Sequence, residues 1–190
     1  GYSFCKAHSA SYAAQSFQSL YLKTYYPIEF MVAVINNFGG FYTTELYVHE
    51  ARMSGATVHP PCVNMSNSLT CVHGIDVYIG LGLIKELQHK VIQDIVFHRE
   101  LEGDYHRLED FVNRVKIESK QLDLLIKIGA FRFTGMNNFE LMWDKYAVYN
   151  PVQQQSVGLT CLFESEHVPH TLPPMPNLQH AQAFNEWELL

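Results

Sequence analysis

The chain has 190 residues, 47% of them hydrophobic and 17% charged, with a formal net charge of −6. That length can bury one large core or two small ones, and the charge excludes a globally basic field that would draw nucleic acid over the whole surface. All Lys and Arg lie before position 150, and the residues after it carry four Glu and no Lys or Arg, so only the first part can hold basic patches.

The cysteines, Cys5, Cys62, Cys71 and Cys161, form no CxxC pair and no disulfide framework, which predicts a reduced intracellular chain. No run of about 18 apolar residues exists, so no membrane-spanning helix is expected. The first residues lack the basic start and apolar core of a signal peptide. The chain opens in mid-pattern at Gly1 and stops abruptly at Glu188-Leu189-Leu190, as expected of a piece of a longer protein.

From His8 to Lys23 apolar residues recur at Ala10, Ala13, Ala14, Phe17 and Tyr21, which predicts a helix. Tyr26-Pro27 ends it, and Pro27 suits the first turn of a second helix, Ile28 to about Asn36. After the turn Asn37-Phe38-Gly39-Gly40, a third helix is expected from Thr43 or Thr44 to Met53, with Gly55 capping its end. Thr57-Val58-His59 reads as a short edge strand. Leu69–Val72 and Val77–Ile79, flanking His73-Gly74-Ile75-Asp76, read as a β-hairpin. The pattern is helical again from Leu81. Lys90–Leu101, Leu108–Val115 and Lys120–Ile128 are expected helices, the last capped by Ser119 and ended by Gly129. Asn137 or Asn138 caps a further helix that stops at Asn150-Pro151. Residues 151–180 read as an irregular connector.

Three constellations carry possible chemistry. Lys6, His8 and Ser9 stand at the start of the first helix, where free backbone N–H groups and the positive dipole end suit a phosphate. A lone Lys-x-His equally suits an exposed lysine beside a partly buried histidine. Gly80, Gly82 and Lys85 precede a helix, and glycines there allow close backbone approach to a phosphate. A tight strand-to-helix turn would use the same residues. Lys127, Gly129 and Arg132 repeat the device, with Gly129 equally able to cap a helix. The pentad Leu159-Thr160-Cys161-Leu162-Phe163 is an apolar anchor within a polar connector; it either binds a partner's pocket or tucks back onto its own domain. The ten histidines give no metal-binding spacing, with His167 and His170 in the irregular tail, so no metal site is expected. No nucleophile motif and no convincing pair of catalytic carboxylates is present.

Taken together, several segments resemble the bacterial DNA polymerase III alpha subunits, the C-family DNA polymerases. Gly1–Ala10 is similar to their GYGFNKSHSAAYA stretch, and Tyr26-Pro27-Ile28-Glu29-Phe30-Met31 to YPAEFM. Glu50-Ala51-Arg52 to Gly55, with Pro60-Pro61-Cys62-Val63-Asn64, is similar to EARRxGI and LPPDVN. Ile79–Lys85 resembles IRxGLGAIKGVG, Leu125–Phe131 resembles LIxAGAFD, and Leu172–Leu190 resembles the run-up to a GHP-bearing segment. The likeness covers nearly the whole chain in order. It implies a mainly α fold with a small β-hairpin element. Residues 1–55 would end the fingers, 56–150 would hold the β element and a degenerate tandem helix–hairpin–helix region, and 151–190 would lead toward an OB-fold. It further implies primer-template DNA as partner, the triphosphate of an incoming dNTP near Lys6, His8 and Ser9, and DNA backbone contact at Gly80, Gly82, Lys85, Lys127, Gly129 and Arg132.

By the same resemblance, the catalytic aspartates and their Mg2+ belong to a palm outside this chain, so the fragment alone is expected to be inactive. A bacterial, cytoplasmic setting in replication or translesion synthesis follows. Two departures matter. Lys85-Glu86-Leu87-Gln88 replaces KGVG, losing both glycines and adding a negative charge. Leu159 stands where a sliding-clamp peptide of QxxLF type has glutamine, although Leu162 and Phe163 fit its anchors. The elements Gly40-Phe41-Tyr42 and Phe139–Trp143 resemble the error-prone accessory subgroup. The rival expectation is a protein-interaction module whose degenerate hairpins no longer hold DNA.

Overall fold

The structure is a computed structural model and describes residues 5–38 and 40–149. It is mainly helical with one small sheet, in the order α1 (Lys6–Tyr25), α2 (Pro27–Asn36), α3 (Thr44–Met53), β1 (Thr57–His59), β2 (Cys71–His73), β3 (Asp76–Tyr78), α4 (His89–Glu102), α5 (Leu108–Arg114), α6 (Ser119–Lys127) and α7 (Asn138–Tyr149). Short 3-10 turns occupy Leu81–Leu83 and Arg132–Thr134. The described residues form two compact units. One holds those up to His59 together with Leu69–Gly80; the other holds Pro60–Ser68 and those from Leu81 onward.

In the first unit, proline sets the break between α1 and α2. Pro27 occupies the first turn of α2, where its missing N–H costs nothing. Helix α2 buries Met31, Val32 and Ile35, a one-sided helical spacing. Met31 and Val32 pack with Ala51 of α3, Ala56 and Val77 of β3. Helix α3 ends as its glycine predicts: Gly55 has φ 96°, and the Ala56 N–H reaches back to the Ala51 carbonyl at 3.0 Å. The apolar positions of α1 behave differently from an ordinary core face. No residue of α1 is buried.

The hairpin of β2 and β3 forms where expected, closed by Gly74 at φ 67° and Ile75, with His73 opposite Asp76. The sheet is larger than a hairpin, however. β1 lies parallel to β3, pairing Thr57 with Asp76 and His59 with Tyr78, so the strand order is β1-β3-β2. Asn36 of α2 ties the hairpin down through two bonds of 2.8 Å to the Thr70 backbone.

The second unit is built on a continuous core that includes Leu81, Ile92, Ile95, Leu108, Leu122, Leu125, Ile126 and Leu141. Each such side chain removed from water contributes about 1.5–3 kcal/mol. Tyr105, Phe111 and Phe131 stack edge to face through it, with centroids 4.9 Å apart at both steps. The helical pattern from Leu81 is interrupted: a 3-10 turn comes first, and α4 starts only at His89. At α6 the cap position is Glu118 rather than Ser119, which is the first helical residue, and no side chain closes that end.

Candidate nucleic-acid interface

Two glycine-marked turns lie in the second unit, and polar side chains distant in sequence fix the first. The loop Pro60–Ser68 is pinned by Arg99 of α4. Its guanidinium donates to the carbonyls of Val63 at 3.0 Å and Ser66 at 2.8 Å, and to the Asn67 side chain at 2.6 Å. Asn64 exchanges two 2.9 Å hydrogen bonds with the Tyr105 backbone. Tyr105 is buried and donates its hydroxyl to the Ile95 carbonyl at 2.8 Å. Burial pushes that hydroxyl up to about 12, partly offset by the Arg114 charge, so it stays a donor at neutral pH. Arg114 lies over the Tyr105 ring at 4.2 Å and donates to the carbonyls of His98 and Gly103.

The first turn leads from Leu81 into α4. The Leu81 and Gly82 N–H groups bond the carbonyls of Asn67 and Ser68, each at 2.9 Å. A Cβ on Gly82 would lie 2.7 Å from the Ser68 carbonyl, so the glycine is required by close backbone approach. Glu86 follows at φ 64°, a left-handed conformation that favours glycine. The turn keeps this shape because Gln121 of α6, itself buried, accepts from the Gln88 N–H at 2.8 Å and donates to the Glu86 carbonyl at 3.0 Å. Helix α4 then starts with no side-chain cap and no acidic residue in its first turn, which holds His89 and Lys90. Lys85 and Lys90 are exposed. An unclosed helix start beside lysines suits an anion.

The second turn is closed. Gly129 has φ 74° and donates to the Ile126 carbonyl at 2.9 Å, while the Ala130 N–H bonds Leu125 at 2.9 Å. Both N–H groups therefore serve the end of α6. At the start of α7 the Asn137 side chain accepts from the N–H groups of Phe139 and Glu140 at 3.0 and 2.9 Å, and Glu140 accepts from the Asn137 N–H at 2.8 Å. This reciprocal arrangement satisfies the first-turn donors. Lys127 and Arg132 are exposed on either side of Gly129. Nearby, Asp144 is held above the usual carboxylate range by burial and by the charges of Glu140 and Glu109. That acidic side of α7 is a poor seat for a phosphate backbone.

The remaining sequence-predicted residues sit elsewhere. Gly80 ends the first unit, and its N–H bonds Thr70 Oγ1 at 3.1 Å. Lys6 and His8 are exposed in the first turn of α1. Two positions apart, they diverge around the helix axis, and the His8 ring rests edge-on against Tyr12 at 4.7 Å. The Ser9 hydroxyl donates to the Cys5 carbonyl at 3.3 Å. Leu159, Leu162 and Phe163 lie outside the described residues. Asp76, read as a turn residue, begins β3 and bonds His59 across the sheet at 2.7 Å. Glu102 pairs with His98 at 3.2 Å and Arg114 at 3.4 Å. Among the described residues, no three His, Cys, Asp or Glu side chains come together as metal ligands. No described helix is long and apolar enough to cross a membrane. The fixing residues Arg99, Arg114 and Gln121 carry no local motif; Asn64 stands in the PPCVN run, the one signal that pointed to it.

Residues 55–141, which contain both turns, match the helix–hairpin–helix motif family. Over 187 residues the chain is 32% identical to a protein named error-prone DNA polymerase from Mycobacterium bovis, covering 96% of this chain and 17% of that one. The chain is homologous to one segment of the bacterial DNA polymerase III alpha and error-prone polymerases. A DNA polymerase III subunit alpha from Helicobacter pylori is 34% identical over 182 residues, covering 86% of this chain and 15% of its own length. An error-prone DNA polymerase from Vibrio vulnificus is 33% identical over 149 residues, covering 75% and 14%. The chain thus spans 14–17% of the length of these relatives. Polymerases of both names match at similar identity.

Proposed function

We propose that this chain is the part of a DNA-directed DNA polymerase alpha subunit that holds duplex primer-template DNA by its phosphate backbone. The observation that carries the reading is the collinear match to polymerases over 96% of the chain, with the helix–hairpin–helix match spanning the open start of α4. Phosphate contact falls to the α4 N-terminus with Lys85 and Lys90, and to the side chains of Lys127 and Arg132. Gly80, Gly82 and Gly129 shape the backbone around these contacts. In the whole enzyme, Lys6 and Ser9, three positions apart on one face of α1, face the triphosphate of the incoming dNTP, and His8 points away from them. Catalytic carboxylates and the Mg2+ that activates a primer 3′ hydroxyl are assigned to a palm elsewhere in the polymerase. Leu159, Leu162 and Phe163 contact a sliding clamp. The Phe41-Tyr42 and Phe139–Trp143 elements favour an error-prone role in a bacterial cytoplasm.

The reading is tested by binding of the chain to duplex primer-template DNA across a salt series. Each cationic phosphate contact contributes a slope of about −0.9 in log affinity against log salt, so Lys85, Lys90, Lys127 and Arg132 together give about −3.6. The Glu86 charge and the closed α7 start favour a second reading, a protein-interaction module that has lost DNA. Absence of binding at low salt would overturn the DNA-holding reading and leave the second one ahead. Lys6→Ala in the whole polymerase tests the nucleotide contact: unchanged apparent dNTP affinity removes Lys6 from the site.

A further inference from the structure

The side of α7 opposite its buried Leu141 carries an aromatic stripe. Phe139, Trp143 and Tyr146 recur at i, i+4 and i+7, so they share one face, and they are 44%, 53% and 66% exposed. The Trp143 and Tyr146 rings lie 6.4 Å apart. The opposite side of the helix is engaged: Leu141 joins the core and Lys145 pairs with Asp123 of α6. Three rings in line are the anchor pattern of helix recognition. Their open area is about 350 Å² at typical aromatic sizes. That is less than half the ~800 Å² per partner of a standard protein interface, and it fits a short apolar segment.

Such a segment follows in the same chain. Leu159-Thr160-Cys161-Leu162-Phe163 begins ten residues beyond Tyr149, between Gln153-Gln154-Gln155 and Glu164-Ser165-Glu166. Ten residues reach at most ~35 Å, and α7 rises only about 15 Å from Tyr149 back to Phe139. Every ring of the stripe is within range.

We propose that the aromatic stripe of α7 is the intramolecular seat of the segment Leu159–Phe163. While seated, the pentad is withheld from any outside pocket; an outside pocket that takes it exposes the stripe. This goes beyond the DNA-holding reading and does not rest on it.

The test uses the full 190-residue chain carrying Trp187→Phe, which leaves Trp143 as the sole tryptophan. Substituting Leu162→Ser and Phe163→Ser together raises acrylamide quenching of Trp143 by roughly two-fold and shifts its emission to the red, because a covered ring returns to half exposure. A peptide of residues 157–166 reverses both at about 1 mM, the local concentration a short tether supplies. Quenching and emission unchanged by the double substitution overturn the proposal. Protection that depends on chain concentration also overturns it and assigns the stripe to a second copy. Where the double substitution lowers helix content, Ala147→Cys in the otherwise native chain decides. Mild oxidation followed by peptide mapping should find a disulfide between position 147 and Cys161 within one chain. Its absence, or its formation only between chains, sinks the idea.

Discussion

Helix α4 begins with no capping side chain and no carboxylate, next to two exposed lysines, whereas α7 begins inside the reciprocal pair of Asn137 and Glu140. Both starts follow glycine-marked turns, and in sequence the two turns look like copies of one device. The structure separates them by where the backbone donors go. At α7 and Gly129 the N–H groups are spent within the fold. At α4 the first turn keeps the donors that every helix start leaves over. Glycine beside a helix is therefore a poor marker of an anion site by itself. The residue three positions into the helix is a better one: Glu140 closes its helix start, and Val91 cannot.

The largest effect is expected where the open start is held in place. Gln121→Ala removes both bonds that fix the Glu86–Gln88 backbone and leaves those groups unsatisfied in a half-buried site. A loss of about 2–3 kcal/mol is expected in urea denaturation. A loss below about 0.5 kcal/mol, the ordinary surface value, would mean the open start is rigid without its clamp. At the closed turn, Gly129→Ala forces a side chain into φ 74° and should cost about 1–2 kcal/mol. Duplex DNA affinity should stay within two-fold, since the Gly129 N–H is already bonded. A collapse of DNA binding in a chain that stays folded would return Gly129 to the interface. Asn137→Ala opens the closed start and should lower stability by about 1 kcal/mol. It should not raise DNA affinity, because Glu140 remains in the first turn.

Much of this was legible in the sequence. Apolar spacing and the Pro27, Gly55 and Gly129 punctuation place most of the helices, and Gly74 places the hairpin, because these signals are local. Asn137 was legible as a cap for the same reason. The parallel pairing of β1 with β3 was not, since a crossover leaves no mark at the strands it joins. Nor were the clamps: Arg99 reaches back to Val63, and Gln121 to Glu86, over more than thirty residues. The exposed apolar side of α1 shows the opposite failure. Helical spacing reports which side is apolar, and says nothing of what covers it.

The smallest stability change carries the sharpest test of the comparison. Glu86 holds a left-handed backbone at φ 64°, in the stretch where the resembling polymerases carry KGVG. The turn holds this shape with a non-glycine residue because Gln121 and the Leu81–Ile84 hydrogen bond impose it. A non-glycine residue there costs about 1 kcal/mol. Glu86→Gly should therefore stabilise the chain by up to about 1 kcal/mol. It also removes a negative charge beside Lys85 and the open α4 start. Duplex DNA affinity at low salt should rise several-fold, with the gain shrinking as salt screens the lost repulsion. Glu86→Gln separates the two causes, since it removes the charge and keeps the strain: affinity should rise while stability stays level. If neither variant changes DNA binding, phosphate contact at α4 is excluded, and the open helix start is a structural end like its closed counterpart.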